Sequence, residues 1–77
     1  MGDSVSRDVE LLYLAQADEH VRHAKEGIAR QQRWVDLHAR DDPDELLRGQ
    51  RLLQAMRETL GELLVHRDGI VQRLGSP

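Results

Sequence analysis

Two histidines in the first half of the chain are the residues whose spacing could support chemistry. His20 and His23 are three residues apart, and Glu19 directly precedes them. On a helix this spacing lets both imidazoles lean to one side. It differs from the zinc-protease pattern, in which two histidines four residues apart flank the glutamate. Asp18 and His66 are the other candidates for a third ligand. The sequence favours structural or solvated histidines, and we expect no metal ion or other cofactor.

Phosphoryl transfer is an alternative function for the same segment. Histidine phosphotransfer domains expose a histidine on a helical bundle and carry a Lys and a Gly after it. His23 is followed by Lys25 and Gly27, with the lysine one place too close. The His-Glu pattern of histidine kinases, with its downstream Arg and Pro, is absent, as is an ATP-binding half. Phosphotransfer-like signalling through His23 or His20 therefore stays open as an alternative.

RNA binding is a second alternative. The formal net charge is −3, and basic and acidic residues balance within each half of the chain. The acidic excess comes from Asp3, Asp41 and Asp42, and the most basic patch is the Arg-Gln-Gln-Arg run at 30–33. Nucleic-acid-binding proteins usually present a sustained basic face. The sequence therefore argues against nucleic acid as a partner, although a weakly RNA-binding hairpin stays open.

The segment that must position these residues is the Asp-Asp-Pro-Asp-Glu run at 41–45. Asp42 suits a helix N-cap, Pro43 suits the first helical position, and Glu45 falls where a capping-box carboxylate reaches back. Pro43 also disfavours helical geometry at Asp42, so an incoming helix should end by about Arg40. We predict a turn at 41–42 between two helices.

Two seams with alternating steps of three and four residues flank this turn. The first seam comprises Leu14, Ala17, Val21, Ala24, Ile28, Gln31, Val35 and His38. The second comprises Leu46, Gly49, Leu53, Met56, Leu60, Leu63, Arg67, Ile70 and Leu74. Such steps are typical of a coiled coil. We predict an all-α fold, a two-helix antiparallel hairpin with helices at about 6–40 and 43–74. It forms a single domain over 1–77, with 1–5 a frayed tail and Ser6 the first N-cap.

Two polar residues interrupt the seams. We expect Gln31 either to fix the register, as buried polar seam residues can, or to face Gly49. We expect Arg67 to cover apolar surface with its stem while its head reaches Glu10. Both residues are therefore interpreted as structural.

Two residues beside the seams should report how the helices pair. If the residue numbers of facing positions add to about 80 or 81, Gly27 lies opposite Leu52, a small residue against a large one. The single tryptophan, Trp34, should lie near the turn, opposite Glu45, and pack over the loop.

A lone hairpin of this size is expected to have little stability, because each helix buries one stripe of residues and leaves the flanking residues exposed to solvent. We therefore predict that two copies associate into a four-helix bundle, a homodimer. Apolar flank residues are densest at the open end of the hairpin, away from the turn. The predicted interface there, with the second copy or with another protein, comprises Leu11, Leu12, Tyr13, Leu64, Val71 and Leu74.

Hydrophobic runs, the first residues and cysteine content limit the classes of protein to which the chain could belong. No apolar run approaches the roughly 18 residues that cross a membrane, and the first residues do not resemble a signal peptide. The chain has no cysteine. We expect a cytoplasmic protein without a membrane partner. We also expect it to be non-enzymatic, a small structural or regulatory protein-interaction module.

Part of the chain also resembles a group of known proteins. The motifs are Arg30-Gln31, Trp34-Val35, Leu37, the leucine pairs at 46–47, 52–53 and 63–64, His66-Arg67 and Ile70. Over about residues 15–74 they resemble short uncharacterised proteobacterial helical-hairpin proteins. The resemblance implies a cytoplasmic bacterial protein with no assigned activity and supplies no functional residues.

Overall fold

A computed structural model describes residues 2–75, with their side chains from Ser6 onward. Over this range the chain forms two α-helices, α1 (Gly2–Leu37) and α2 (Pro43–Gly75), and no strand. The helices lie antiparallel in a rod whose principal extents are 61 × 14 × 13 Å. The predicted all-α helical hairpin is confirmed.

The start of α2 follows the sequence prediction. The helix begins at Pro43, and the Asp42 carboxylate accepts a hydrogen bond from the Asp44 N–H at 2.9 Å. This bond satisfies one of the unpaired donors at a helix N-terminus, as an N-cap does. Asp44 and Glu45 lie in the first turn, where their negative charge complements the helix dipole.

α1 ends at Leu37, three residues before the expected end at Arg40. The His38 N–H is shared between the carbonyls of Trp34 and Val35, at 3.1 and 3.3 Å. Such a shared bond is common where a helix tightens into its last turn. The connection between the helices is therefore 38–42, wider than the predicted turn at 41–42.

α1 begins at Gly2, so the predicted N-cap at Ser6 is wrong. Serine costs only about 0.5 kcal/mol inside a helix, and its capping preference does not force a helix to start there. The fraying predicted for 1–5 concerns motion and stays a prediction, and Met1 lies outside the described residues.

The two predicted seams form the contact between the helices. Every seam residue is buried or half-buried. The buried hydrophobic side chains are Ala17, Val21, Val35, Leu53 and Ile70. Among these Ile70 alone has no exposed area. The core is one side chain thick and follows the line where the helices touch.

The contacts between the helices agree only in part with the predicted pairing. The residue numbers add to 80 for Gln31 with the Gly49 carbonyl and to 81 for Arg7 with the Leu74 carbonyl, as expected. Three observed contacts have residue numbers that add to 83: Glu10 with Arg73, Gly27 with Met56, and Trp34 with Gly49. The expected value was 80 or 81. A Cβ atom on Gly27 would lie 3.1 Å from the Met56 Cε, so Gly27 faces Met56 rather than Leu52.

The same offset changes the partners of the charged seam residue. Arg67 does not reach Glu10, and its Nε donates instead to the Asp18 carboxylate. Hydrogen bonding to Asp18 raises the pKa of the Arg67 guanidinium. Glu10 accepts a bond from the Arg73 Nε at 3.0 Å, so the expected partner was wrong by about two helical turns of α2.

Gln31 takes the second of its two predicted roles. Its Nε2 donates to the Gly49 carbonyl at 3.0 Å. This bond ties the side chain of α1 to the backbone of α2 in a half-buried position. Because it needs one particular carbonyl opposite, it also helps to hold the register.

Candidate interaction surface

The histidine segment forms an ion-pair network on the outside of α1. The His23 Nε2 is 3.2 Å from a Glu19 carboxylate oxygen. Arg22 donates to Glu19 on one side and to Glu26 at 3.1 Å on the other. These residues are three or four positions apart on one helix, the spacing at which helical side chains meet. The segment is therefore a local surface network.

Arginine dominates the electrostatics of this network. The Arg22 hydrogen bond lowers the pKa of the Glu19 carboxyl, and the same bond raises the pKa of Arg22. Glu19 thus stays ionised beside the His23 Nε2, where its negative charge would repel a phosphoryl group on that atom. The contact gives no support to phosphotransfer at His23, which stays an untested prediction.

His20 lies in a different setting from His23. It lines a shallow groove of about 190 Å³ together with Tyr13, Gln16, Ala17 and His66. Within the part of the chain that is described, no three or more histidines and carboxylates come together so as to hold a metal ion. The structure therefore separates the two histidines that the sequence grouped.

A second groove, of about 360 Å³, lies near the turn and is lined by Trp34, Glu45, Arg48, Gly49 and Leu52. The Trp34 ring covers Gly49 so closely that a Cβ atom there would lie 2.3 Å from the ring Cζ3. The ring also stacks on His38, with 4.2 Å between centroids and planes 15° apart. Trp34 thus contacts both a histidine of the same chain segment and a glycine of α2.

A third groove, of about 310 Å³, lies between the other two. It is lined by Ala24, Leu52, Ala55, Met56 and Thr59. Three of these side chains are small, so the surface dips where the two helices meet. Leu52 is 52% exposed and rises at the edge of the depression.

All three grooves lie on one side of the hairpin, which we call the grooved face. We define it by the residues that directly precede every second seam position, counted from Leu14 in α1 and from Leu46 in α2. On α1 these are Tyr13, His20, Gly27 and Trp34, and on α2 they are Glu45, Leu52, Thr59, His66 and Arg73. Residues seven apart keep to one side of a helix in such a pair. Shared groove linings confirm that the two sets face the same way, since Trp34 meets Glu45 and His20 meets His66.

The other side of the hairpin is the opposite face, defined by the residues that directly follow the alternate seam positions, together with Leu11, which lies seven residues before Asp18. It comprises Leu11, Asp18, Lys25 and Gln32 of α1 with Gln50, Arg57, Leu64 and Val71 of α2. Two polar links cross it. Arg57 donates to Gln32 at 2.8 Å, and Arg67 reaches from the seam to Asp18.

The structure distributes the predicted interface residues over several sides of the hairpin. Five of the six are partly exposed: Leu11, Leu12, Tyr13, Leu64 and Val71. Leu74 is half-buried. Tyr13 belongs to the grooved face, whereas Leu11, Leu64 and Val71 belong to the opposite face. The open end is apolar, but it does not present these side chains as one flat patch.

Sequence reasoning missed the importance of Gly49. The sequence placed Gly49 in the second seam as a possible partner of Gln31, and Trp34 was expected opposite Glu45. With the observed pairing of helices, Trp34 falls against Gly49 and the glycine becomes the receiving surface for the ring. The sequence did contain a signal for this contact, a bulky residue beside one seam and a glycine in the other. To pair them, the register of the two helices had to be known to within two residues.

Comparisons with protein-family models, with curated proteins and with solved structures find no match for this chain. Neither helix in the described range combines the length and the apolar character that crossing a membrane requires. The resemblance to proteobacterial hairpin proteins stays a prediction.

Proposed function

We propose that this chain is a non-enzymatic helical-hairpin protein that self-associates and serves as a small structural or regulatory interaction module. Support comes from how incompletely the single hairpin buries its own apolar surface. A folded domain normally packs two layers around one core. Here each helix contacts only the other helix, and no third element covers the flanks within the described residues.

The accessible surface carries the proposal. A single chain exposes 6002 Å², whereas a compact monomer of 8.8 kDa is expected to expose about 4,800 Å². The surplus of roughly 1,200 Å² exceeds the roughly 800 Å² that each partner buries in a standard interface. The radius of gyration, 17.6 Å, likewise exceeds the roughly 11–12 Å of a compact domain of this length.

The exposed surface is also apolar in composition. Ten large hydrophobic side chains are between 36% and 74% exposed: Val9, Leu11, Leu12, Tyr13, Leu37, Leu47, Leu52, Leu64, Val65 and Val71. Single exposed leucines are ordinary on protein surfaces, but clusters of them mark interfaces. Burial of several of these side chains in a dimer would add several kcal/mol at about 25 cal/mol per Å².

Thermal melting at several concentrations tests this proposal. Because association stabilises only the folded state, the melting temperature should rise with protein concentration. Sedimentation velocity should give the mass of two chains, or a concentration-dependent average between one and two. A melting temperature independent of concentration, together with a one-chain mass, would overturn self-association and leave the apolar surface for a different protein.

A further inference from the structure

The order of residues along α2 on the grooved face is self-complementary. Reading from the turn, positions seven residues apart carry Glu, Leu, Thr, His and Arg. If a second α2 lies against the first in the reverse direction, with Thr59 at the centre, then Glu45 meets Arg73 and Leu52 meets His66. Opposite charges therefore meet at both ends. A twofold interface requires this reciprocity, in which residue i contacts j and j contacts i.

The order along α1 is self-complementary as well. The same face carries Tyr13, His20, Gly27 and Trp34. Reversal about the midpoint of this series sets Tyr13 against Trp34 and His20 against Gly27. The first pair joins two aromatic rings, which interact favourably beyond their buried area. The second pair places the large His20 side chain against Gly27, which has no side chain.

Thr59, the centre of the α2 series, and the midpoint of the α1 series lie at about the same level along the long axis of the hairpin. The residue numbers of facing positions add to 80 for Gln31 with Gly49 and to 83 for Glu10 with Arg73. Thr59 is therefore level with residues 21–24, a range that contains the midpoint of the α1 series. A single twofold axis can therefore relate α1 to α1 and α2 to α2 of the two copies. Folding of the hairpin does not require the two series to be centred at the same level.

We infer that a second copy of this chain packs end for end against the grooved face, about a twofold axis that passes level with Ala24 and Thr59. The inference rests on the proposed self-association and specifies its face and orientation. The central groove lined by Ala24, Ala55 and Thr59 lies on the axis. Small side chains there allow the two hairpins to approach closely.

The outer grooves receive the bulky side chains of the other copy. Tyr13, 48% exposed, enters the groove beside Trp34 and Gly49. Leu52 enters the groove beside Ala17 and His66. Each copy contributes both a projection and a depression, so both grooves on both copies are filled.

Charge and area are consistent with this arrangement. The Arg73 Nε bonds to Glu10, which leaves the other guanidinium donors for Glu45 of the second copy. Glu45 has no ion-pair partner among the described residues. Extents of 61 and 14 Å give the face a flat outline of roughly 850 Å², which leaves room for the roughly 800 Å² of accessible surface that one partner buries in a standard interface.

The opposite face lacks this complementarity. Reversed on itself, it sets Leu64 against Arg57, Val71 against Gln50 and Leu11 against Gln32. Three of its four pairs would thus bury an apolar side chain against a polar one, and polar groups buried without partners cost free energy. On the grooved face Leu52 with His66 is the one such pair. The one favourable pair of the opposite face is Asp18 with Lys25. The grooved face is therefore the surface that suits a second copy.

An arginine at the axis tests the face. Thr59 is exposed in the single chain, so Thr59→Arg keeps the hairpin but brings two like charges together at the twofold. We expect the dimer dissociation constant to rise about tenfold or more by sedimentation velocity. Gln50→Arg, the same change at an exposed site of the opposite face, should leave it unchanged. Circular dichroism checks that both variants are helical.

Cysteine cross-linking tests the orientation, since the chain has no cysteine of its own. Thr59→Cys should form a disulfide-linked dimer under mild oxidation. Leu52→Cys and His66→Cys should each stay uncross-linked alone and cross-link when mixed. Dimers that tolerate Thr59→Arg and give none of these cross-links would overturn this inference and leave self-association standing. A wild type that sediments only as a monomer would overturn both.

Discussion

The two faces of the hairpin flank one seam but are built differently. The grooved face carries small residues and three depressions, with a tyrosine, a tryptophan and an exposed leucine between them. The opposite face is crossed by side-chain bonds between the helices, from Arg57 to Gln32 and from Arg67 to Asp18. These hydrogen bonds pair polar groups within a single copy. The grooved face carries one such bond, from Arg73 to Glu10 at the open end, and we propose that the rest of this face receives the second copy.

Exposed hydrophobic area alone does not distinguish the two faces. Leu64 and Val71 of the opposite face are 36% and 41% exposed, yet they lie among polar residues and face no matching depression. On the grooved face Tyr13, Trp34 and Leu52 each line a groove. Shape and the order of residues distinguish the faces where hydrophobic content does not.

The largest effect is expected at the glycine beneath Trp34. Gly49→Ala places a Cβ atom 2.3 Å from the ring Cζ3, and the ring is stacked on His38, so it has little room to move. We expect the free energy of unfolding to fall by about 2–3 kcal/mol.

The matched control is Gly61→Ala, where the new Cβ has nothing within 4 Å. Alanine is the better helix former there, so stability should rise by about 1 kcal/mol. Urea unfolding measures both changes. Equal effects at the two glycines would show that Trp34 does not rest on Gly49.

A smaller effect is expected from charges on the opposite face. Leu11→Glu combined with Leu64→Glu should lower stability by about 1–2 kcal/mol, because each leucine is partly buried within its own hairpin. Sedimentation velocity should still report a dimer. A folded monomer would instead favour the open-end interface predicted from the sequence.

The turn belongs to neither face, so its cap should affect stability without changing association. Asp42→Ala removes the acceptor for the Asp44 N–H and should cost about 1 kcal/mol. Asp41→Ala serves as the control, because the Asp41 carboxylate lies 3.9 Å from the His38 Nε2 and caps no helix N–H. If both variants melt like the wild type, the Asp42 bond does not stabilise α2.

The smallest effect concerns the outer network of α1, away from both faces. The Arg22 bond lowers the pKa of Glu19, so the stabilisation it supplies is present above the unfolded-state pKa. It is lost as pH falls through the lower folded-state pKa. In an NMR titration, Arg22→Gln should raise the Glu19 pKa toward its ordinary value, whereas Arg33→Gln should leave it in place. An unchanged titration in Arg22→Gln would show that the pair does not form in solution.

The hairpin itself could be predicted from the sequence because its determinants are local. Asp42 and Pro43 specify the start of α2, and seam spacing specifies which stripe of each helix is buried. Every seam residue is buried or half-buried in the structure. Only the helix ends differed, at Ser6 and Arg40, where capping preferences are worth about as much as one more residue of helix.

The interaction surface could not be predicted in the same way, because it depends on how far one helix is shifted along the other. Gly27 lies against Met56, four residues beyond the expected Leu52 on α2. Arg67 and Glu10, expected to pair with each other, contact Asp18 and Arg73 instead. Seam patterns repeat every seven residues, so they fix which sides meet and leave a shift of this size undetermined.

A single distance between two copies tests the central claim most directly. A spin label on Glu45→Cys lies fourteen residues from Thr59, about 21 Å along α2 at 1.5 Å per residue. In an end-for-end dimer on the grooved face, pulsed electron paramagnetic resonance should therefore give a separation of about 40 Å between labels. The absence of dipolar coupling at concentrations well above those of the melting experiments, or a separation below about 20 Å, would contradict this account.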